Sequence, residues 1–318
     1  MSHATTQVVR ALCRALRRNA DALARDFSRA RRGDVGAVHR VRVATRRLRA
    51  ALPLAVDAGR LNARDLARDL KRVTRALGEV READVVRHLI LDLAERQDWL
   101  PSMIARVERA CVARRDERRT AMREKLSDLR GRALEKRVEV VADRLEADAP
   151  DARAVAVVYA AVRKRSRQLT IAIDGAGTVY GVEPLHAVRI ATKKLRYAFE
   201  AADGVLDRAD DRARRRLKRF QERLGHVHDL QMAQRYVRAT QNDPDVTPGL
   251  SAQLAELDQA LDVQCRQLHG QVLRERPAVI KMLQDLSSAI EARLTPRRVG
   301  RMARMRTRRT VRRLEMGN

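Results

Sequence analysis

The chain has 318 residues, length enough for about two domains, and aliphatic and alanine side chains plentiful enough for a core, with aromatics only 3%. A formal charge of +27 destabilises the compact state by self-repulsion unless an anionic partner offsets it, which leaves nucleic acid, an anionic membrane surface or an inorganic polyanion as partner classes. Cys13, Cys111 and Cys265 are odd in number and far apart, which argues against a disulfide framework and fits a reducing compartment. The longest apolar run, Ala154 to Val162, is too short for a membrane span, and the N-terminus lacks the apolar core of a secretory signal, so the expected location is the cytoplasm.

In chain order, apolar residues at helical spacing (Val8 or Val9, Leu12, Leu16, Ala20, Leu23, Phe27) predict a first helix that breaks at Arg32-Gly33. Asp34 is the expected N-cap of a second helix, and Pro53 should end or kink it. A helix over 62–77 should stop near Gly78, another should cover 82–96, and two long charged helices over 101–129 and 132–145 complete the first half. The acidic, Pro-containing stretch 146–151 is a candidate boundary. The second half repeats the order: a helix over 152–173, a Gly-rich loop, and a helix starting near Pro184 and running to about Asp203. A helix over 207–224 stops at Gly225 and another starts near His226, and the loop 241–249 precedes two C-terminal helices. No segment alternates with period two, so the predicted class is all-α.

The chain writes one stretch twice. HRVRVATRRLR, His39 to Arg49, returns as HAVRIATKKLR, His186 to Arg196. On a helix His39, Arg42, Arg46 and Arg49 fall at about 0°, 300°, 340° and 280°, one cationic stripe beside an apolar one. His186, Arg189, Lys193 and Arg196 repeat it. The offset of 147 also carries Leu70-Lys71-Arg72 onto Leu217-Lys218-Arg219 and Leu77-Gly78 onto Leu224-Gly225, so Lys71 and Lys218 add matching cations. Register held over some forty residues without a gap implies an internal duplication, with domains over 1–147 and 148–294 and an Arg-rich tail over 295–318. Gly78 and Gly225 would sit at helix ends, where positive φ is wanted.

These features resemble the CHAD family of histidine-bearing α-helical domains. The doubled H-x-x-R-x-x-x-R/K-R/K-L-R, the LRYAFE that completes its second copy, the Lys-bearing helix ending in Leu-Gly, and Arg81-Glu82-Ala83-Asp84 carry the resemblance. It implies two tandem antiparallel four-helix bundles related by a pseudo-two-fold, whose basic helices line a groove or pore that binds inorganic polyphosphate. It further implies association with polyphosphate granules and no catalysis. The implied contacts are His39, Arg42, Arg46, Arg49, Lys71, His186, Arg189, Lys193, Arg196 and Lys218. Two positions depart from the family: Glu82 replaces the usual Asp, and His228-Asp229 replaces an Asn-Asp pair, both expected to shape helix starts. The β-tunnel and E-x-E-x-K/R signature of the triphosphatase domain often fused to relatives are not found.

Arginine suits phosphate because its fork donates two parallel hydrogen bonds, while lysine acts as a point charge. His39 and His186 are read as phosphate donors ahead of metal ligands, because their helical neighbours are arginines; protonation of both should strengthen binding as pH falls. His226-x-His228-Asp229 is read as a cap rather than a metal or hydrolase site, and His3, His88 and His269 receive no role. No cofactor is expected. The competing readings are a nucleic-acid-binding helical protein, disfavoured by the shortage of stacking aromatics, and a phosphoanhydride hydrolase, disfavoured by the lack of an acidic cluster. The segment PRRVGRMARMRTRRTVRRLEMGN holds nine arginines and one acid, a basic tail that could also engage other polyanions.

Overall fold

A computed structural model describes residues 6–96, 99–201 and 208–294, and over these the chain is all-α, with nine helices and no strand. The Arg-rich tail from 295, His3, and the stretch 202–207 that divides two expected helices lie outside the described residues. No helix among the described residues is long and apolar enough to cross a membrane.

Helices α1 (Thr6–Arg32) and α2 (Val35–Gly59) pack as a hairpin whose turn is written in the sequence. Gly33 adopts φ +91°, a backbone conformation that calls for glycine. Asp34 caps α2 as expected: its Oδ1 accepts the Ala37 N–H at 2.7 Å. That bond and Arg29 hold the Asp34 carboxyl below the usual carboxylate range.

Pro53 does not end α2, which runs on to Gly59 and closes with Arg60 in the left-handed region at φ 51°. Leu48, Ala51, Leu52, Leu54, Ala55 and Ala58 are all buried around the proline, and this packing outweighs the lost backbone bond. The same competition removes the breaks expected at the two Leu-Gly sites. Helix α3 (Arg64–Arg96) runs unbroken through Gly78, and α8 (Arg208–Gln241) through Gly225; neither glycine has positive φ. A mid-helix glycine costs about 1 kcal/mol relative to alanine, less than the burial of Leu77, Val80, Ala83 and Val86 on α3 returns.

The remaining helices are α4 (Pro101–Lys125), α5 (Gly131–Asp148), α6 (Asp151–Gly175), α7 (Val182–Ala201) and α9 (Pro248–Leu294). The two expected C-terminal helices are one, α9, with Pro277 inside it. At the offset of 147, α1, α2 and α3 fall onto α6, α7 and α8, and α9 covers the places of both α4 and α5.

Three apolar cores hold the helices. One joins α1, α2, the first half of α3 and α5, with the end of α4 and the start of α6. Its counterpart joins α6, α7, the first half of α8 and the second half of α9, around Phe199 and Phe220. The third is shared by the halves: Val86 and Ile90 of α3 and Met103 and Val107 of α4 meet Leu230 and Val237 of α8 and Leu257 and Leu261 of α9. The long α3 and α8 therefore each belong to two cores. That is the physical reason neither can stop at its glycine. The three cysteines are buried and unpaired, and burial pushes the Cys13 and Cys111 thiols up to about 11 and about 12.

Candidate polyanion-binding site

The two motif helices, α2 and α7, pack against each other, with α3 behind the first and α8 behind the second. Each presents its apolar stripe inward: Val38, Val41, Ala44 and Leu48 on α2, and Leu185, Val188, Ala191 and Leu195 on α7. Thr45 and Thr192, at matching places, return their hydroxyls to the carbonyls of Val41 and Val188 at 2.8 Å, which lets a polar side chain sit in each core. With these stripes buried, the adjoining cations are forced into the seam between the helices.

Four of the predicted residues converge there. Arg42 and Arg46 of α2 act on Arg189 and Lys193 of α7, and the four repel one another across the seam. None of them makes an ion pair or a side-chain hydrogen bond within the described residues. Arg189 is only 9% exposed, and the Nε atoms of Arg42 and Arg189 are buried without a protein partner. Burial first, then the neighbouring guanidinium groups, pushes Arg42 down to about 10 and Lys193 down to about 6. Burial with no ion partner costs several kcal/mol per charge, so this cluster is a store of unmet electrostatic demand.

Other motif cations are neutralised by the protein itself. Arg40 is held bidentately by Asp26 of α1 at 2.6 and 2.9 Å. Glu200, the acid of LRYAFE, accepts Arg47 of α2 at 2.9 Å and pairs with Arg196 of its own helix at 3.1 Å, so it clamps the two motif helices together. Arg196 also lies over the Tyr197 ring at 5.5 Å. Arg196 thus spends its charge on the fold. Behind the clamp, a cavity of about 360 Å³ is lined by Arg18, Asn19, Arg47, Tyr197 and Glu200 among others.

The rest of the predicted set is more scattered. His39 lies at the start of α2, and partial burial followed by Arg81 lowers its pKa. His186 is half-buried at the matching place on α7, its pKa lowered by burial and Arg189. Arg49 sits one turn beyond Arg46 and lies with exposed Lys71 along a separate cleft that also takes in Leu52, Pro53 and Leu61. Lys218 is exposed and pairs with Glu222 at 3.8 Å. The structure brings Arg42, Arg46, Arg189 and Lys193 together, with the two histidines at the edge, and leaves Lys71 and Lys218 apart from them.

Residues that the sequence assigned elsewhere join the cluster. Because α8 does not break at Gly225, His228 and Asp229 are mid-helix rather than caps. The His228 ring lies 5.6 Å from that of His186, and burial together with Arg189 and Lys193 pushes it down to about 3. Asp229, half-buried beside Arg189 and Lys193, and Glu82, its equivalent on α3 beside Arg118 and Arg235, both have pKa values raised by burial. Arg81 of α3 acts on His39 and on Asp229, and so reaches both halves of the site. The signal for these positions was present, since the offset of 147 carries Arg81-Glu82 onto His228-Asp229. What hid it was the expectation of helix ends at the glycines. Gly78 and Gly225 lie one turn before these residues on the same face. A Cβ at Gly78 would meet only Arg42 Nε, at 3.8 Å, and one at Gly225 nothing within 4 Å. Among the described residues no three His, Cys, Asp or Glu side chains are grouped so as to hold a metal ion.

Comparison with known proteins adds a family. PptA from Streptomyces chartreusis has a similar structure, with a TM-score of 0.61 at 20% identity, over 87% of this chain and 99% of that one. The crystal structure of the CHAD domain from the plant Ricinus communis is similar with a TM-score of 0.58 at 23% identity, over 89% and 91% of the two chains. No curated protein matches the sequence. The family profile of the CHAD domain matches residues 14–238, a span that holds both copies of the basic motif and both halves of the cation cluster; the chain belongs to the CHAD domain family.

Proposed function

We propose that the chain binds inorganic polyphosphate, without transforming it, along the cationic seam between α2 and α7, and that this binding places it on polyphosphate granules in the cytoplasm. The observation that carries the reading is the set of basic side chains without ion partners that both repeats bring to the seam. Arg42 and Arg46 come from one and Arg189 and Lys193 from the other, with the Nε atoms of Arg42 and Arg189 buried and unpartnered. A single phosphate would satisfy two or three of them. A linear chain of phosphates can meet all four. Guanidinium forks suit tetrahedral phosphate oxygens, and the half-buried setting strengthens each contact relative to water. The glycines at 78 and 225 keep side-chain bulk away from the same face.

Direct binding of long-chain polyphosphate, followed by competition with duplex DNA and with RNA at matched phosphate concentration, tests the proposal. Polyphosphate should displace both nucleic acids. Displacement in the opposite order would favour a nucleic-acid partner, and phosphate release above background in the presence of Mg²⁺ or Mn²⁺ would favour a hydrolase.

A further inference from the structure

The repeats match in position but not in chemistry at Arg81 and His228. In the first, His39 of α2 faces Arg81 of α3. The offset of 147 puts His186 of α7 and His228 of α8 at these places in the second. There the two rings lie 5.6 Å apart with planes inclined at 39° across the α7–α8 seam. A permanent cation in one half is therefore a titratable imidazole in the other, opposed by a second imidazole. Resting on the polyphosphate reading, we propose that His186 and His228 form a proton-linked phosphate subsite: anion loading of the second repeat takes up protons, while Arg81 supplies fixed charge at the matching place of the first.

The surroundings set the sign. Acting on the pair from α7 are Arg189, Lys193 and Glu183, and from α8 Arg235; Asp229, next to His228 in sequence, acts on Arg189 and Lys193 and is itself acted on by His226. Beyond these, Arg42 and Arg46 of α2 act on Lys193, Arg81 of α3 acts on Asp229, and Arg118 of α4 acts on Glu82 next to Arg235. Burial first, then the excess of cations over carboxylates, keeps the imidazoles neutral without a ligand: His228 is held down at about 3 and His186 below its ordinary value. An anion placed among Arg189, Lys193 and His228 reverses the local potential and draws protons from solvent onto imidazole nitrogens, each of which then donates to a phosphate oxygen. Lys193, neutral for the same reason, takes up a proton as well. Only N–H bonds form, and water or buffer supplies the protons. By linkage, a ligand that raises these pKa values binds more tightly as pH falls.

The test is calorimetric titration of the full chain with long-chain polyphosphate, whose internal phosphates stay ionised across the range, at pH 7 in two buffers of different ionisation heat. The wild type should take up about one proton or more per bound segment and bind more tightly at pH 6 than at pH 8. His228→Arg, which copies the first repeat, should take up fewer protons and retain more of its affinity at pH 8. Arg81→His, which copies the second, should take up more and lose affinity at pH 8. His228→Gln serves if the arginine disturbs folding, and should also take up fewer protons. Equal uptake by wild type and by folded His228 variants, all binding polyphosphate, would overturn the subsite and leave polyphosphate binding standing. No binding by the wild type at any pH would overturn both.

Discussion

Replacing Lys193 by methionine should make the protein more stable and a poorer polyanion binder at once. The ammonium sits on α7 among Arg189, Arg46 and Arg42 without an ion partner, and its pKa is pushed from 10.5 to about 6. At pH 7 the folded chain therefore favours the neutral amine, whereas the unfolded chain is fully protonated. Between about 6 and 10.5 the unfolded state binds the extra proton, so this lysine makes stability rise with pH through that window. The penalty is absent above the unfolded value and complete below the folded one. A whole proton corresponds to about 1.4 kcal/mol per pH unit; solvent near a half-buried group narrows the window over which that slope holds, so about 1 kcal/mol per unit is expected between pH 7 and 9. Methionine keeps the stem's packing and removes the titration. Denaturant unfolding of wild type and Lys193→Met at pH 7, 8 and 9 should show the variant more stable at pH 7 and the wild type closing the gap by about 1 kcal/mol per pH unit. In polyphosphate binding the variant should lose about one unit from the slope of log affinity on log salt. A stability gap that does not change with pH would refute the reasoning about the buried ammonium, and an unchanged salt slope would remove Lys193 from the contact surface.

Changing Arg42, Arg46, Arg189 and Lys193 together to alanine should lower the salt slope by about three units while the helical signal in circular dichroism is kept; unaltered affinity in the folded variant would take the seam out of the mechanism. Gly78→Ala and Gly225→Ala should each raise stability by about 0.5–1 kcal/mol in thermal or denaturant unfolding, because both positions are mid-helix and neither methyl meets a hard contact. In Gly78→Ala polyphosphate affinity should also fall, since its methyl lies 3.8 Å from Arg42 Nε. Asp34→Ala should cost about 1 kcal/mol through loss of the α2 cap, with Asp34→Asn nearly neutral.

Much of this protein is decided by local patterns. The 3.6-residue apolar period dictates helices throughout, because every segment can bury one stripe and none alternates as a strand does. Gly33 and Asp34 settle the α1–α2 turn through backbone freedom and a two-atom cap, interactions that need nothing distant. The fixed offset of 147 ties Arg42 to Arg189 and Arg46 to Lys193, because a duplicated helix places equivalent residues on equivalent faces. Tertiary structure decided where helices stop. Glycine and proline disfavour a helix by only about 1–3 kcal/mol, and α2, α3, α8 and α9 pass through them because each continues into a packed core. It also decided which cations remain unpaired. Arg40, Arg47 and Arg196 look like their neighbours in the motif, yet Asp26 and Glu200 neutralise them, whereas Arg42, Arg46, Arg189 and Lys193 meet one another across the seam. Whether a charge on a helix face finds a carboxylate or another cation depends on the helix packed against it, and that is set by how the cores close.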